Sequence, residues 1–67
     1  MKKGDIISDL LIESMAAEGK CVARYNNLVV FVTGGAPGDV AHIEITKIKS
    51  HFLEGRVSSF VDRKSVV

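Results

Sequence analysis

A single cysteine, Cys21, leaves this chain of 67 residues no internal disulfide to form, and no cluster of cysteine and histidine has the spacing of a metal site. Neither usual staple of a small domain is on offer. No apolar run is long enough to span a bilayer, and Met1-Lys2-Lys3 leads into Gly4-Asp5 instead of the apolar core of a signal peptide. A cytoplasmic location with no membrane partner is the expectation. Nine basic against eight acidic residues give a net charge of +1, which excludes a protein that grips nucleic acid by bulk charge. Any such contact needs a local patch. With only His42 and His51 present, nucleophilic catalysis through Cys21 or a serine has almost nothing to draw on. Gly34-Gly35-Ala36-Pro37-Gly38 lacks the Lys-Ser/Thr ending of a phosphate-binding loop and opens no evident helix, so it reads as a turn between strands. Asp5, Asp9 and Glu13 recur every fourth residue, which on a strand makes a solvated face and no acid/base pair. Nothing reads as catalytic, and no metal or cofactor is expected in this chain.

What is present is β-branched, short-segmented and punctuated by glycine. Residues 20–25 and 28–32 are strand-like, and only Asn26-Asn27 separates them, a pair able to supply the positive φ angles of a two-residue hairpin turn. Cys21, Ala23 and Tyr25 share one face of the first strand, and Lys20, Val22 and Arg24 the other. The strand after it is apolar on both faces, and its aromatic, Phe31, reads first as a core residue. Thr33-Gly34-Gly35-Ala36-Pro37-Gly38-Asp39 cannot continue a strand, so the chain turns there.

Upstream, residues 5–15 alternate imperfectly, with Ile6, Ser8, Leu10 and Ile12 expected inward; Ala16-Ala17-Glu18-Gly19 then reads as a loop or one helical turn closed by glycine. Downstream, residues 40–49 place Ala41, Ile43 and Ile45 on one side, with Ile48 out of phase, a slip that a β-bulge would absorb. Residues 52–61 make a fifth strand with Leu53, Gly55 and Val57 inward and a kink at Gly55. The expected fold is all-β, a small five-stranded OB-like barrel filling one domain over residues 1–67. Periodicity alone also admits an SH3-like barrel. Residues 1–4 and 62–67 are expected to be flexible, and the domain monomeric; at this size roughly 60% of the unfolded chain's surface is buried on folding.

Gly19, Val22-Ala23-Arg24, Val29-Val30-Phe31-Val32 and Ala36-Pro37-Gly38-Asp39-Val40 together resemble the TRAM domain, a small RNA-binding β-barrel. The match is nearest to the copy at the N-terminus of S-adenosylmethionine-dependent RNA (uracil-5-)methyltransferases. Gly4-Asp5, Leu11-Ile12-Glu13 and Ile45-Thr46-Lys47 extend it over nearly the whole chain. That family usually has glycine where this chain has Cys21 and Asn27. The resemblance implies the same barrel, RNA (ribosomal or transfer) as partner, and a catalytic domain in cis that holds S-adenosylmethionine and, in many members, a 4Fe–4S cluster. Cys21 belongs to the hairpin and is neither that domain's nucleophile nor a cluster ligand. The chain reads as a domain excised from a larger enzyme.

The chemistry left is nucleic-acid binding. Lys20 and Arg24 share a hairpin face, Lys47 and Lys49 the fourth segment, and Arg56 lies in the fifth, so a closed barrel could gather them into a partly basic groove. Tyr25, Phe31, His51 and Phe52 are available to stack bases. The candidate RNA-binding residues are therefore Lys20, Arg24, Tyr25, Lys47, Lys49 and Arg56. Each lysine also reads as an ordinary surface charge, and Arg24 as a structural clamp on carbonyls of the glycine-rich corner. Two other functions fit the same residues: a free-standing OB-like RNA binder, and a protein-interaction module that pairs through a sheet edge.

Overall fold

In the computed structural model, which describes residues 2–62, the chain forms strands β1 (Ile6–Met15), β2 (Lys20–Tyr25), β3 (Leu28–Thr33), β4 (Val40–Ile48) and β5 (Phe52–Asp62). They close into one barrel in the order β1-β2-β3-β5-β4, and β1 returns to pair with β4. All ladders are antiparallel except β3 with β5, which runs parallel. This is the five-stranded OB-like barrel that the strand pattern called for.

The hairpin of β2 and β3 is the most regular part. Asn26 (φ 50°) and Asn27 (φ 66°) both take the left-handed conformation, so the turn twists in the sense of its strands, and pairing runs unbroken from Tyr25 with Leu28 to Lys20 with Thr33. Cys21, Ala23, Val30 and Val32 are thereby all aimed inward and fully buried. They meet Ala41, Ile43 and Ile45 of β4 and Leu53 of β5, as the alternation predicts.

β1 departs from its expected phase. Ile7 pairs with Ile43 and Leu10 with Ala41, so β1 spends one residue more than β4 over that interval, and Asp9 (φ 54°) absorbs the excess as a bulge. The inward residues are consequently Ile7, Leu10 and Ile12, while Ile6 and Ser8, expected inward, are exposed. Strict alternation cannot reveal such a bulge, because Asp is tolerated in the left-handed region without announcing it. The slip at Ile48 is also a bulge, between Ile45 and Lys47. A third, between His42 and Ile43, turns Phe60 inward against the core.

The glycine-rich corner is stitched to β1. The Gly38 amide donates to the Ile12 carbonyl at 2.8 Å, and the Ile12 amide donates to the Asp39 carbonyl at 2.9 Å. Inside the corner the Ala36 amide donates to Asp39 Oδ2 at 2.9 Å. Asp39 is fully buried, the one polar side chain in the described core. At the chain's start, residues 2–5 form a hydrogen-bonded turn whose Gly4 amide donates to the Ile45 carbonyl at 2.7 Å. Asp62 ends β5 opposite Val40; the remainder of the expected tail, residues 63–67, and Met1 lie outside the described residues.

Cys21 illustrates how the interior controls chemistry. Its Sγ donates to the Gly35 carbonyl at 3.6 Å, and burial first, then the negative charge of Asp39, pushes the thiol up from its ordinary value of 9.0. A raised thiol pKa means stability that is complete below the unfolded value and declines as pH rises through it towards the folded one. The expected result is a thiol that resists alkylation at neutral pH in the folded chain and reacts only on unfolding. Rapid native-state labelling by a maleimide, at the rate of denatured protein, would contradict that assignment.

Candidate nucleic-acid interface

Because side chains alternate along each strand, fixing which residues point inward also fixes the outer surface. Across β2, β3, β5 and β4 the register brings three rows to that surface. Lys20, Thr33, Arg56 and Glu44 make the first; Val22, Phe31, Glu54 and Lys47 the second; Arg24, Val29 and Phe52 the third. Phe31, read from the sequence as a core aromatic, is therefore on the outside. It is half-buried because Phe52 stands against it, edge to face, with ring centroids 5.3 Å apart and planes at 82°.

This pair floors a groove of about 310 Å³ lined by Phe31, Phe52, Lys20, Glu54, Ala16 and Ala17. The two alanines belong to the β1–β2 connection, which Glu18 and Gly19 bend through positive φ and which the Ala16 amide ties to the Lys20 carbonyl at 2.7 Å. Small side chains there keep the groove open. Glu54 is placed by its strand, whose carbonyl also accepts from Thr46 Oγ1 at 3.3 Å. Lys20 Nζ stands 3.7 Å from Glu54 Oε1, with both side chains partly exposed, so the pair is a loose one that solvent screens.

The other predicted residues divide by position. Arg56 is engaged: its Nε and Nη2 donate to Glu44 Oε1 at 3.1 and 3.0 Å, so its guanidinium is already paired. Arg24, Lys47 and Lys49 are exposed and form no salt bridge among the described residues. Arg24 stands near the hairpin turn, opposite Val29, whereas the glycine-rich corner follows Thr33 at the far end of β3. Lys49 lies just past β4, its amide donating to the Phe52 carbonyl at 2.9 Å, which puts it at the groove's aromatic end. Tyr25 is on the inward face with Cys21 and Ala23, packed partly buried against the core. Of the histidines, His51 is exposed in the β4–β5 turn, and His42 lies in β4 opposite Ser59 with a buried Nδ1 that has no hydrogen-bond partner.

Sequence reasoning passed over Glu54, although the signal existed. With Leu53 and Gly55 inward, Phe52, Glu54 and Arg56 had to point outward together.

A family model for the TRAM domain matches residues 7–58, from the buried Ile7 of β1 to the far half of β5. The chain belongs to the TRAM domain family. Its similarity to curated proteins runs over the same region. It is 40% identical over 48 residues to an uncharacterized RNA methyltransferase of Porphyromonas gingivalis, an alignment covering 72% of this chain and 10% of that protein. It is 40% identical over 52 residues to the ribosomal RNA large subunit methyltransferase E of Methanocella arvoryzae, covering 78% and 20%. To the 23S rRNA (uracil(1939)-C(5))-methyltransferase RlmD of Legionella pneumophila strain Corby it is 35% identical over 51 residues, covering 76% and 12%. This TRAM domain thus spans a tenth to a fifth of the length of those relatives. The 4Fe–4S cluster that the resemblance to uracil-5-methyltransferases implies for the parent does not fit this domain's residues: four thiolates are needed, and the single cysteine is buried in the core with a thiol pushed upward.

Proposed function

We propose that this TRAM domain is the RNA-binding accessory part of an S-adenosylmethionine-dependent RNA (uracil-5-)methyltransferase, presenting ribosomal or transfer RNA to a catalytic domain in the same polypeptide. The observation that carries the proposal is the composition of its outer sheet. A solvent-accessible aromatic pair in a groove, with Lys20, Arg24, Lys47 and Lys49 around it, combines stacking surface with phosphate-neutralising charge. The methyltransferase names borne by relatives that share only this region support the same reading. Methyl transfer, S-adenosylmethionine and, in part of the family, a 4Fe–4S cluster would then belong to the catalytic part, and the domain would act as a monomer in the cytoplasm.

The test is a titration of the domain with single-stranded and structured RNA over a range of salt. Each phosphate contact contributes a slope of about −0.7 in log affinity against log salt for single strands. So few free cations imply weak binding with a shallow slope. Arg24→Ala, Lys47→Ala and Lys49→Ala should each weaken binding and reduce the slope by about one contact or less. Thermal stability should hardly move in any of them, since all three side chains are exposed. Unchanged affinity at low salt in all three variants would remove the basic surface from the mechanism.

A further inference from the structure

We propose that the groove over Phe31 and Phe52 is a single-nucleobase site selective for an unstacked guanine, read by Glu54. The inference rests on the RNA-binding reading above and assigns it a ligand. Three features of the groove point the same way. Its volume, about 310 Å³, lies at the bottom of the range of roughly 300–1,000 Å³ seen for small-molecule pockets and is enough to seat one base. Its floor presents aromatic surface on which a base of any identity can stack. Its wall carries a carboxylate, an acceptor without a donor, which RNA phosphates repel and only certain base edges satisfy.

The donor pattern of the bases decides among them. Guanine places N1–H and the N2 amino group side by side, a fork that meets both oxygens of a carboxylate. Adenine and cytosine each set one amino donor beside a ring-nitrogen acceptor, and uracil sets one N–H between two carbonyls, so each turns at least one lone pair towards Glu54. Lys20 completes the site. Its Nζ, 3.7 Å from Glu54 Oε1, is loosely enough held to swing towards the phosphate of the same nucleotide. The register explains why these groups meet: Glu54 is the direct β5 neighbour of Phe31, and Phe52 lies two residues before it on the same face.

The experiment titrates the domain with uridine-rich RNA hexamers that carry guanosine, inosine, adenosine or cytidine at one central position. A good bidentate contact discriminates against the wrong base, so the guanosine hexamer should bind roughly 10-fold more tightly than those with adenosine or cytidine. Inosine, which keeps N1–H and lacks the amino group, should fall between. Glu54→Gln should abolish the preference while retaining weak, salt-dependent binding to every hexamer. Phe52→Ala, checked by circular dichroism for a native spectrum, should weaken all four. Salt-dependent binding without base preference, or a guanosine preference that survives in Glu54→Gln, overturns the guanine site and leaves the accessory RNA-binding role standing. Absence of binding to any hexamer and to structured RNA overturns both.

Discussion

Gly55→Val should cost the domain about 3 kcal/mol or more, a large part of its stability. A Cβ at this position would stand 2.7 Å from Ile43 Cγ2 and 2.8 Å from the Glu44 carbonyl oxygen, and the second of these is backbone in the neighbouring strand. A side chain can rotate away from a clash; a paired carbonyl moves only with its strand. β4 and β5 form the longest ladder of the barrel, and Gly55 sits opposite Ile45 beside one of its bulges. Overpacking a core costs about 1–3 kcal/mol and occasionally more, and a backbone obstruction belongs at the upper end. Natural domains hold about 0.05–0.15 kcal/mol per residue, so one of this size has roughly 3–10 kcal/mol in all. Gly55→Ala, with less bulk, should still lower the melting temperature by about 10–20 °C. Thermal and urea unfolding followed by far-ultraviolet circular dichroism decide the matter. A midpoint for Gly55→Ala within about 5 °C of the parent would show that the two strands part without penalty.

The second large effect is expected at Asp39. Its carboxylate is fully buried and accepts from the Ala36 amide, while its backbone joins the corner to Ile12 of β1. Asp39→Ala removes the acceptor and leaves the part-buried Ala36 amide without it, a loss of about 1.5–3 kcal/mol, since bonds to charged groups exceed neutral ones. Asp39→Asn keeps an oxygen in place and should cost about half as much. Both substitutions also withdraw the negative charge near Cys21, so the thiol should ionise at lower pH than in the parent, burial remaining the larger cause of its elevation. Melting curves and the pH dependence of thiolate absorbance measure the two effects separately. Parent-like melting of Asp39→Ala would mean that the corner is held by its backbone bonds alone.

The parts of the fold legible in the sequence were those where local chemistry and tertiary packing ask for the same residue. Asn26-Asn27 announced a two-residue turn because few residues accept positive φ, and both took it. Alternation in β4 named Ala41, Ile43 and Ile45 correctly, since the bulges facing that stretch spend their extra residue on β5 or β1 and leave β4's own period of two intact. The candidate interface was only partly legible. Charge and aromaticity marked Lys20, Arg24, Lys47 and Lys49 and suggested stacking by Phe31 and Phe52, but not which of the cations were already paired. Arg56 was bound to Glu44 by a cross-strand register that depends on two bulges, and Tyr25 lay on the face alternation gave it with Cys21 and Ala23, the face that barrel closure turned inward.

By itself, the sequence determined the family, the five-stranded barrel and the turn chemistry, because these depend on residue types at short range: glycines and asparagines where φ must be positive, β-branched residues where a pleated surface must be covered. Only the tertiary structure decided which face each residue occupies in β1 and late β5. A bulge at Asp9 or between His42 and Ile43 inverts the phase of everything beyond it, and it is fixed by what the partner strand offers. Only closure of the barrel, likewise, set Phe31 beside Phe52 and Glu54 beside Lys20, through the parallel pairing of β3 with β5 across more than twenty residues of chain. Contacts so distant along the sequence leave no periodic trace in it, because each strand meets its own requirements whichever neighbour it finally joins.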